Sequence, residues 1–376
     1  MLRSHWIVGL VALPLLVACG NKTSTSGTGT GGSKGTGIEP PVRPTGAKAG
    51  DSSGPKALAI SKIFIGTTDR MGNASPTAYQ SYGYDLDGMV TSSDYTKHCK
   101  PNSGASPKSV FTEGANGVDN SFGKNLLPII TSAAGQGTDI QASLNGAITK
   151  GSFTIIVDMP NLGTSTDYSP LTAYLLGGKN GTCAAGSCTS WQLVPELLNA
   201  PKMQPSDAAV QFMNSYLTKN TWVSGDKGTV NLSLAVAGFS LNLTIASAVI
   251  TMDLGADHNS ATNGIIAGVL NTEDFITQLK SVIGAFQSSL CGSTTLEGIL
   301  NQIRQASDIM HDGSQDPTKT CDGISIGLGF EAQNTMIGTV APPTPPQGDP
   351  CMTTSSSSST GGGTTSSASS TTGGGG

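Results

Sequence analysis

Apolar side chains alternate with small or polar ones along residues 230–254. Every second position is apolar over residues 230–236, 239–245 and 248–254, with a short turn after the first run. A period of two is typical of a strand that buries one face, so this pattern predicts an antiparallel meander of three strands. Similar patterns predict further strands at residues 57–65, 152–159, 171–176 and 212–223.

Helical periodicity follows the meander. Apolar side chains recur three or four positions apart over residues 275–290 and again over residues 296–310, which predicts two consecutive amphipathic helices. Thr294 and Glu297 form the pattern of a capping box at the start of the second helix. Asp119 is a candidate N-cap for a third helix. We therefore expect a mainly β fold, an antiparallel β-sandwich or jelly-roll-like body with a packed helical hairpin.

Both ends of the chain lack the apolar residues that a core needs. Residues 19–56 and 342–376 are rich in Ser, Thr, Gly and Pro, which predicts a disordered tether at one end and a Pro-rich exit with a disordered tail at the other. Residues 57–341 carry the strand and helix patterns and form the predicted globular domain. Residues 1–18 have the pattern of an export signal peptide, because their apolar segment is shorter than the roughly 20 residues of a membrane span.

The end of this signal segment carries a distinctive cysteine. The sequence Leu16-Val17-Ala18-Cys19 resembles the lipobox of bacterial lipoproteins. The resemblance implies that Cys19 becomes the acylated N-terminal residue of the mature chain. Gly20 lacks the aspartate associated with inner-membrane retention, which favours the outer membrane or cell surface. The alternative is an ordinary secretory signal in which Cys19 is incidental.

Composition narrows the classes of function. The chain has 376 residues with 50 glycines, only 12% charged residues and a formal net charge of −5. Without a basic block it has no electrostatic reason to bind nucleic acid. The expected partners are the membrane, through the lipid anchor, and an extracellular or envelope ligand that the sequence does not identify.

Cysteine usage supports export. Six cysteines remain besides Cys19, and an even number in an exported chain predicts three disulfides. The clustered Cys and His pairs of a zinc site are missing from the sequence. Spacing and then elimination suggest the pairs Cys183–Cys188, Cys291–Cys321 and Cys99–Cys351.

Acidic turns are the candidate chemistry of the chain. The segments YDLDG and GVDNSFG place carboxylate and amide oxygens close together beside glycines. Calcium takes six to eight oxygen ligands and binds many extracellular modules, so calcium is the candidate cofactor. The alternative is that these Asp-Gly segments are plain turns and that Asp119 only caps a helix, since the spacing is not that of an EF-hand. The candidate ligands are Asp85, Asp87, Asp119, Asn120, Asp312 and Asp316.

Sequence signatures of catalysis are missing. The chain has no G-x-S-x-G, H-E-x-x-H or S-x-x-K motif and no phosphate-binding loop, so we assign no catalytic residue. The sequence therefore favours a membrane-anchored lipoprotein with a non-enzymatic binding or envelope-structural role. The alternative is an extracellular hydrolase acting on a polymer such as a polysaccharide, with Asp85 and Asp87, or Asp312 and Asp316, as acid and base.

Three segments of the body carry a wider resemblance. YDLDG, GVDNSFG and CDGISIGLGF resemble segments of uncharacterised exported bacterial lipoproteins, over roughly residues 57–340. The resemblance implies the biology of the lipobox, and it implies no particular activity or binding residue.

Overall fold

The computed structural model of the protein describes residues 37–114, 116–135, 139–236, 239–345 and 351. The predicted signal peptide, Cys19 and the tail from residue 352 lie outside the described residues, as does the predicted tether up to residue 36.

Strands dominate the described part of the chain. They are β1 (Lys56–Phe64), β2 (Thr154–Met159), β3 (Tyr168–Ala184), β4 (Ser187–Leu193), β5 (Val210–Thr218), β6 (Thr221–Val223), β7 (Gly228–Val236), β8 (Phe239–Leu254), β9 (Ser260–Asn271), β10 (Gly323–Asn334) and β11 (Met336–Val340). Eight of them run side by side in the order β3-β2-β1-β10-β9-β8-β6-β5, and β5 pairs with β3 again. The antiparallel sheet therefore closes as an eight-stranded barrel, with β7 added at β8 and with β4 and β11 added beyond β3.

The prediction of a mainly β, antiparallel fold is confirmed, whereas a sandwich or jelly roll is not, because one continuous sheet closes on itself. The meander differs in one detail. Residues 239–254 form the single strand β8, whose pairing with β9 shifts register between Ala246 and Val249. Ser247 has a φ of 48° at this irregularity. A β-bulge therefore joins residues 239–245 and 248–254, which the sequence predicted as two separate strands.

Five α-helices cover the sheet in the described residues, and a π-helical segment, Phe122–Leu126, leads directly into the second of them. The helices are α1 (Pro107–Phe111), α2 (Leu127–Ala134), α3 (Ile140–Thr149), α4 (Thr272–Phe286) and α5 (Thr294–Gln305).

The predicted helical hairpin is confirmed. Glu273 at the start of α4 pairs with Arg304 at the end of α5, at 2.6 Å between oxygen and nitrogen, so the two helices are antiparallel neighbours. Their apolar faces join the largest hydrophobic cluster together with one face of the strands. The predicted capping box is off by one residue. The Ser293 hydroxyl accepts the Leu296 N–H, so Ser293 and not Thr294 caps α5.

Residues 37–55, which we expected in the flexible tether, follow the surface of the body as an extended arm. The Ile38 N–H donates to the Asn116 carbonyl at 2.8 Å, and the Asp85 N–H donates to the Ile38 carbonyl at 2.9 Å. Farther along, the Arg43 guanidinium lies 4.5 Å from the centre of the Tyr216 ring. These bonds correct the prediction for this part of the chain, which is bound to the domain.

Three disulfides are present in the described residues, as the count predicts, but only one predicted pairing is right. Cys183–Cys188 is confirmed. The other two bonds are Cys99–Cys321 and Cys291–Cys351, so the predicted pairs Cys291–Cys321 and Cys99–Cys351 are wrong. Cys291 lies before the start of α5, whereas the bond of the Thr272 N–H to the Asp322 carbonyl places Cys321 near the start of α4, which adjoins the other end of α5, roughly 18 Å away along the helix. A bridge between Lys100 and Thr320 instead places Cys99 beside Cys321.

Candidate functional site

A tight turn holds the first two predicted carboxylates. The Asp85 Oδ1 accepts the N–H groups of Gly88 at 2.6 Å and Met89 at 3.1 Å, and the Asp87 Oδ1 accepts the Met89 N–H at 2.8 Å. Gly88 has a φ of 79°, in the region that favours glycine. The Asp-Gly pair is therefore a turn, as the alternative proposed, and this turn also fixes the position of both carboxylates.

Asp119 binds this turn instead of capping a helix. Its Oδ2 accepts the N–H groups of Leu86 at 2.7 Å and Asp87 at 3.3 Å, whereas Ser121 is the residue that precedes the π-helical segment. The predicted capping role of Asp119 is wrong for this reason. Asp85, Asp87 and Asp119 each present an oxygen within 4.8 Å of the other two. We call these three residues the carboxylate trio.

Glycines in β10 allow the loop that carries Tyr82, Asp85 and Asp87 to lie directly on the sheet. A Cβ at Gly327 would lie 2.1 Å from the Tyr82 carbonyl oxygen, and one at Gly329 would lie 2.4 Å from the Tyr82 ring. Any larger residue at either position would push the loop away from the strand. The CDGISIGLGF segment thus provides the close approach on which the position of the trio depends.

Asn120 fastens the same loops to β10. Its Nδ2 donates to the Tyr82 and Gly327 carbonyls at 2.9 Å each, and its Oδ1 accepts the N–H groups of Gly123 at 2.9 Å and Gly327 at 3.1 Å. Both lone pairs of the amide oxygen are used in this way. We therefore remove Asn120 from the candidate ligands and assign it a positioning role.

Asp312 and Asp316 lie apart from the trio in two separate turns. The Asp312 Oδ1 accepts the backbone N–H and the hydroxyl of Ser314, and the Asp316 Oδ1 does the same with Thr318. Asp316 also pairs with Lys319 at 3.4 Å. These hydrogen bonds account for both carboxylates locally, and the structure does not bring them together with Asp85, Asp87 and Asp119. We remove them from the candidate ligands as well.

A small cavity adjoins the trio and contains residues that the sequence analysis did not select. Its volume is about 10 Å³, the space of one water-sized sphere. His98, Glu113, Asp308 and Gln315 come from distant parts of the chain, so no local motif could have identified them. The polar groups around the cavity are Asp87, His98, Glu113, Asp119, Asn120, Ser121, Lys124, Asp308 and Gln315.

Hydrogen bonds hold each added group in place. The Gln315 amide donates to the Asp87 Oδ2 at 2.9 Å and accepts the Cys99 N–H at 2.9 Å, so the disulfide segment supports Asp87. The Asp308 Oδ1 accepts the Ser325 N–H at 2.8 Å on β10. The Glu113 carboxylate accepts the Thr91 N–H at 3.0 Å. The cavity is thus a built polar site and not a gap in the packing.

Burial disfavours negative charge on all these carboxyl groups. It raises the pKa of Asp85 to about 6, that of Asp308 to about 7 and that of Glu113 to about 8. Burial also raises the pKa of Asp119 well above its usual range, and the neighbouring Asp87 and Glu113 charges add to this effect. A cation among these groups would offset the loss of hydration of the carboxylates and the repulsion between them, and it would therefore favour their charged forms.

His98 and Asp87 do not form a salt bridge. Burial raises the pKa of Asp87 and lowers the pKa of His98, so both shifts favour the neutral forms. The His98 Nδ1 lies 3.9 Å from the Asp87 Oδ2, which is beyond hydrogen-bond distance.

Comparisons with known protein families, characterised proteins and solved structures give no significant match to this chain. Among the residues that the structure describes, there is no helix with the length and apolar character needed to cross a bilayer. The functional argument therefore rests on the geometry of the chain itself.

Proposed function

We propose that the protein is an exported, lipid-anchored, non-enzymatic module whose body is held together by a calcium ion at the carboxylate trio. The observation that carries this proposal is the convergence of three carboxylates within 4.8 Å of one another. In Asp85 and Asp119, 8% and 4% of the residue surface is exposed. Buried like charges repel strongly unless protons or a cation neutralise them, and carboxylate oxygens are the ligands that calcium prefers.

A calcium ion at the trio would join two separate segments of the chain, to which the arm is also bonded. Asp85 and Asp87 belong to one loop, and Asp119 belongs to a second loop. The arm joins both loops through Ile38, which bonds to Asn116 and Asp85. The ion would thus act as a staple at the point where the chain leaves the membrane tether and enters the domain. Bidentate binding by the three carboxylates would supply six of the six to eight oxygen ligands.

The size of the cavity favours a binding role over hydrolysis. The cavity of about 10 Å³ accommodates one ion or one water, so a sugar ring cannot enter between Asp87 and Asp119. Glycoside hydrolases hold a sugar ring between their two carboxylates, in an open cleft. The geometry therefore supports a structural or binding module better than the hydrolase alternative.

The location rests on two lines of support. The described residues contain three disulfides, which form and persist in oxidising compartments. The sequence around Cys19 resembles a lipobox, and the polar residues after it suit a tether. The proposed destination is the outer membrane or the cell surface. The proposed binding partner of the module is an envelope or extracellular molecule.

Thermal unfolding of residues 37–351 in EDTA, in calcium and in magnesium tests the staple. Calcium at 100 times its dissociation constant adds about 2.7 kcal/mol to the free energy of unfolding. In a domain of this size that gain raises Tm by roughly 4 °C. Asp119→Asn removes a ligand, and we expect it to abolish most of this rise without lowering Tm in EDTA, since it also removes a buried charge.

Asp316→Asn is the matched control, because Asp316 lies in a turn away from the trio. It should keep the full calcium response. A wild-type Tm that is the same in EDTA and in calcium would contradict the proposal, and so would an Asp119→Asn protein with an undiminished calcium response.

A further inference from the structure

One nitrogen atom beside the trio has no explanation in the hydrogen-bond network. The His98 side chain is only 1% exposed, yet its Nδ1 has no hydrogen-bond partner among the described residues. A buried polar atom without a partner costs about 1 to 3 kcal/mol, so such atoms in native proteins usually contact a water or an ion. The ring lines the same small cavity as Asp87 and Asp119.

The surroundings of His98 fix the direction in which Nδ1 points. Its Nε2 is bonded to the Thr91 hydroxyl at 2.9 Å, and its ring stacks on Phe111 with the ring centres 4.6 Å apart. The Thr91 bond suits an imidazole whose Nε2 carries the proton and whose Nδ1 has a free lone pair. Histidines that bind metals are oriented in this way, because the second ring nitrogen donates to a fixed acceptor.

The distance to Asp87 suits a shared metal ion. The His98 Nδ1 and the Asp87 Oδ2 are 3.9 Å apart, too far for a hydrogen bond. Transition-metal ions bind imidazole nitrogen and carboxylate oxygen at about 2.0 to 2.2 Å, so adjacent ligand atoms of a tetrahedral or octahedral ion lie about 3.0 to 3.5 Å apart, and His98 and Asp87 would close by about 0.5 Å around an ion. The cavity beside them, of about 10 Å³, has room for one such ion.

From this geometry we propose that the cavity side of the cluster binds a divalent transition-metal ion, with His98 Nδ1 and Asp87 Oδ2 as ligands. Calcium and magnesium bind oxygen, whereas imidazole suits ions such as Fe²⁺, Ni²⁺, Cu²⁺ and Zn²⁺, and Mn²⁺ accepts imidazole beside its oxygen ligands. The inference rests on the proposed function in one respect, since Asp87 belongs to both ligand sets. It adds a nitrogen ligand and a second class of metal to the site.

Electron spin-echo envelope modulation of bound Mn²⁺ tests the nitrogen ligand directly. Metal-free residues 37–351 are loaded with one equivalent of MnCl₂, and the spectrum should show modulation from a directly coordinated ¹⁴N nucleus. Protein labelled with ¹⁵N-histidine should give the shifted ¹⁵N pattern, which requires no substitution. His98→Gln should remove the nitrogen modulation and weaken Mn²⁺ binding at least tenfold.

His311→Gln is the matched control, since the His311 Nδ1 already bonds to the Asp322 carboxylate at 2.8 Å in an exposed turn. It should keep the nitrogen modulation. Three results would overturn the inference: no Mn²⁺ binding at millimolar concentration, bound Mn²⁺ without nitrogen modulation, or modulation that persists in His98→Gln. If calcium still raises Tm in any of these cases, the calcium staple stands without the histidine ligand. If calcium has no effect either, both proposals fail.

Discussion

Two acidic regions of this chain look alike in sequence and differ in structure. Asp85 and Asp87 lie two positions apart in a glycine turn, and Asp312 and Asp316 lie four positions apart in a similar polar segment. The Asp312 and Asp316 carboxylates each bond to a hydroxyl two residues later. The Asp85 and Asp87 carboxylates are instead buried and meet Asp119 from a second loop.

The difference between these two regions indicates which acidic turns can bind a cation. A serine or threonine two positions after the aspartate offers a local hydroxyl and N–H, so the carboxylate is satisfied within its own turn. Gly88 and Met89 offer only backbone N–H groups to Asp85, and the carboxylates of Asp85, Asp87 and Asp119 come within 4.8 Å of one another. Burial then makes the cluster costly unless a positive charge joins it.

The largest expected effect comes from the disulfide beside the buried region. Cys99–Cys321 closes a separation of 222 residues, and the chain-entropy relation assigns it about 5 kcal/mol. Cys183–Cys188 closes 5 residues, for about 2 kcal/mol. We expect the Cys99→Ser/Cys321→Ser protein to lose the most Tm and much of its calcium response, because Gln315 and His98 are held through this segment.

Differential scanning calorimetry with and without calcium measures both quantities, and Cys183→Ser/Cys188→Ser is the control that should retain the calcium response. Equal calcium responses in the two double variants would show that calcium binding at the trio does not depend on the Cys99–Cys321 disulfide.

A second test compares an isolated buried carboxyl group with the buried carboxylates of the trio. Burial raises the pKa of Asp158 to about 6, and no charged neighbour contributes to the shift. The folded protein thus keeps a proton that the unfolded chain releases near its ordinary pKa of 3.8. The contribution of Asp158 to stability is therefore fully present below about pH 4, is lost as pH rises towards about 6, and stays lost above it.

Asp158→Asn removes this penalty, and we expect it to raise the free energy of unfolding at pH 7.5 by up to about 3 kcal/mol and to change little at pH 4. Urea denaturation at the two pH values measures the difference. The calcium response should equal that of the wild type, because Asp158 lies outside the trio. The same ΔΔG at both pH values would refute the assignment of the shift to Asp158.

The smallest expected effect concerns the contact between the arm and the trio. A Cβ at Gly37 would lie 1.8 Å from the Asp85 Oδ2 and 2.4 Å from its Cγ. Because two backbone N–H groups hold the Asp85 carboxylate, it cannot move aside freely. Gly37→Ala should therefore cost about 1 to 3 kcal/mol and weaken calcium binding.

Gly298→Ala is expected to change the stability in the opposite direction. Gly298 lies within α5 with open space at its Cβ position, so alanine there should stabilise the protein by about 0.5 to 1 kcal/mol and leave calcium binding unchanged. Chemical denaturation of both variants gives the comparison. A Gly37→Ala protein as stable as the wild type would show that the arm does not rest on Asp85.

The parts of the fold that sequence predicted well are those with one buried face. Strand β8 alternates and was found, whereas β9 and β10 were missed. Strand β10 also alternates, with Ile324, Ile326, Leu328 and Phe330 at every second position, and this pattern was overlooked. Its other face is buried as well, because Gly327 and Gly329 pack closely against Tyr82. Disulfide pairing failed because it depends on the path of the chain between elements.

The residues of the candidate site also fall into those that the sequence predicted and those that it did not. Asp85, Asp87 and Asp119 could be proposed from local motifs, because turn chemistry is encoded within a few residues. His98 and Gln315 could not be proposed, since they reach Asp87 only through the closed sheet and the disulfide at Cys99. Local sequence indicates which residues can bind a cation, and the tertiary fold selects the ones that meet.

The most direct measurement is long-wavelength anomalous diffraction from crystals of residues 37–351 grown in calcium. The account predicts one strong calcium peak between Asp85, Asp87 and Asp119, with oxygen distances of about 2.3 to 2.6 Å. A map without a peak at the trio, or with calcium at the Asp312 and Asp316 turns instead, would contradict it.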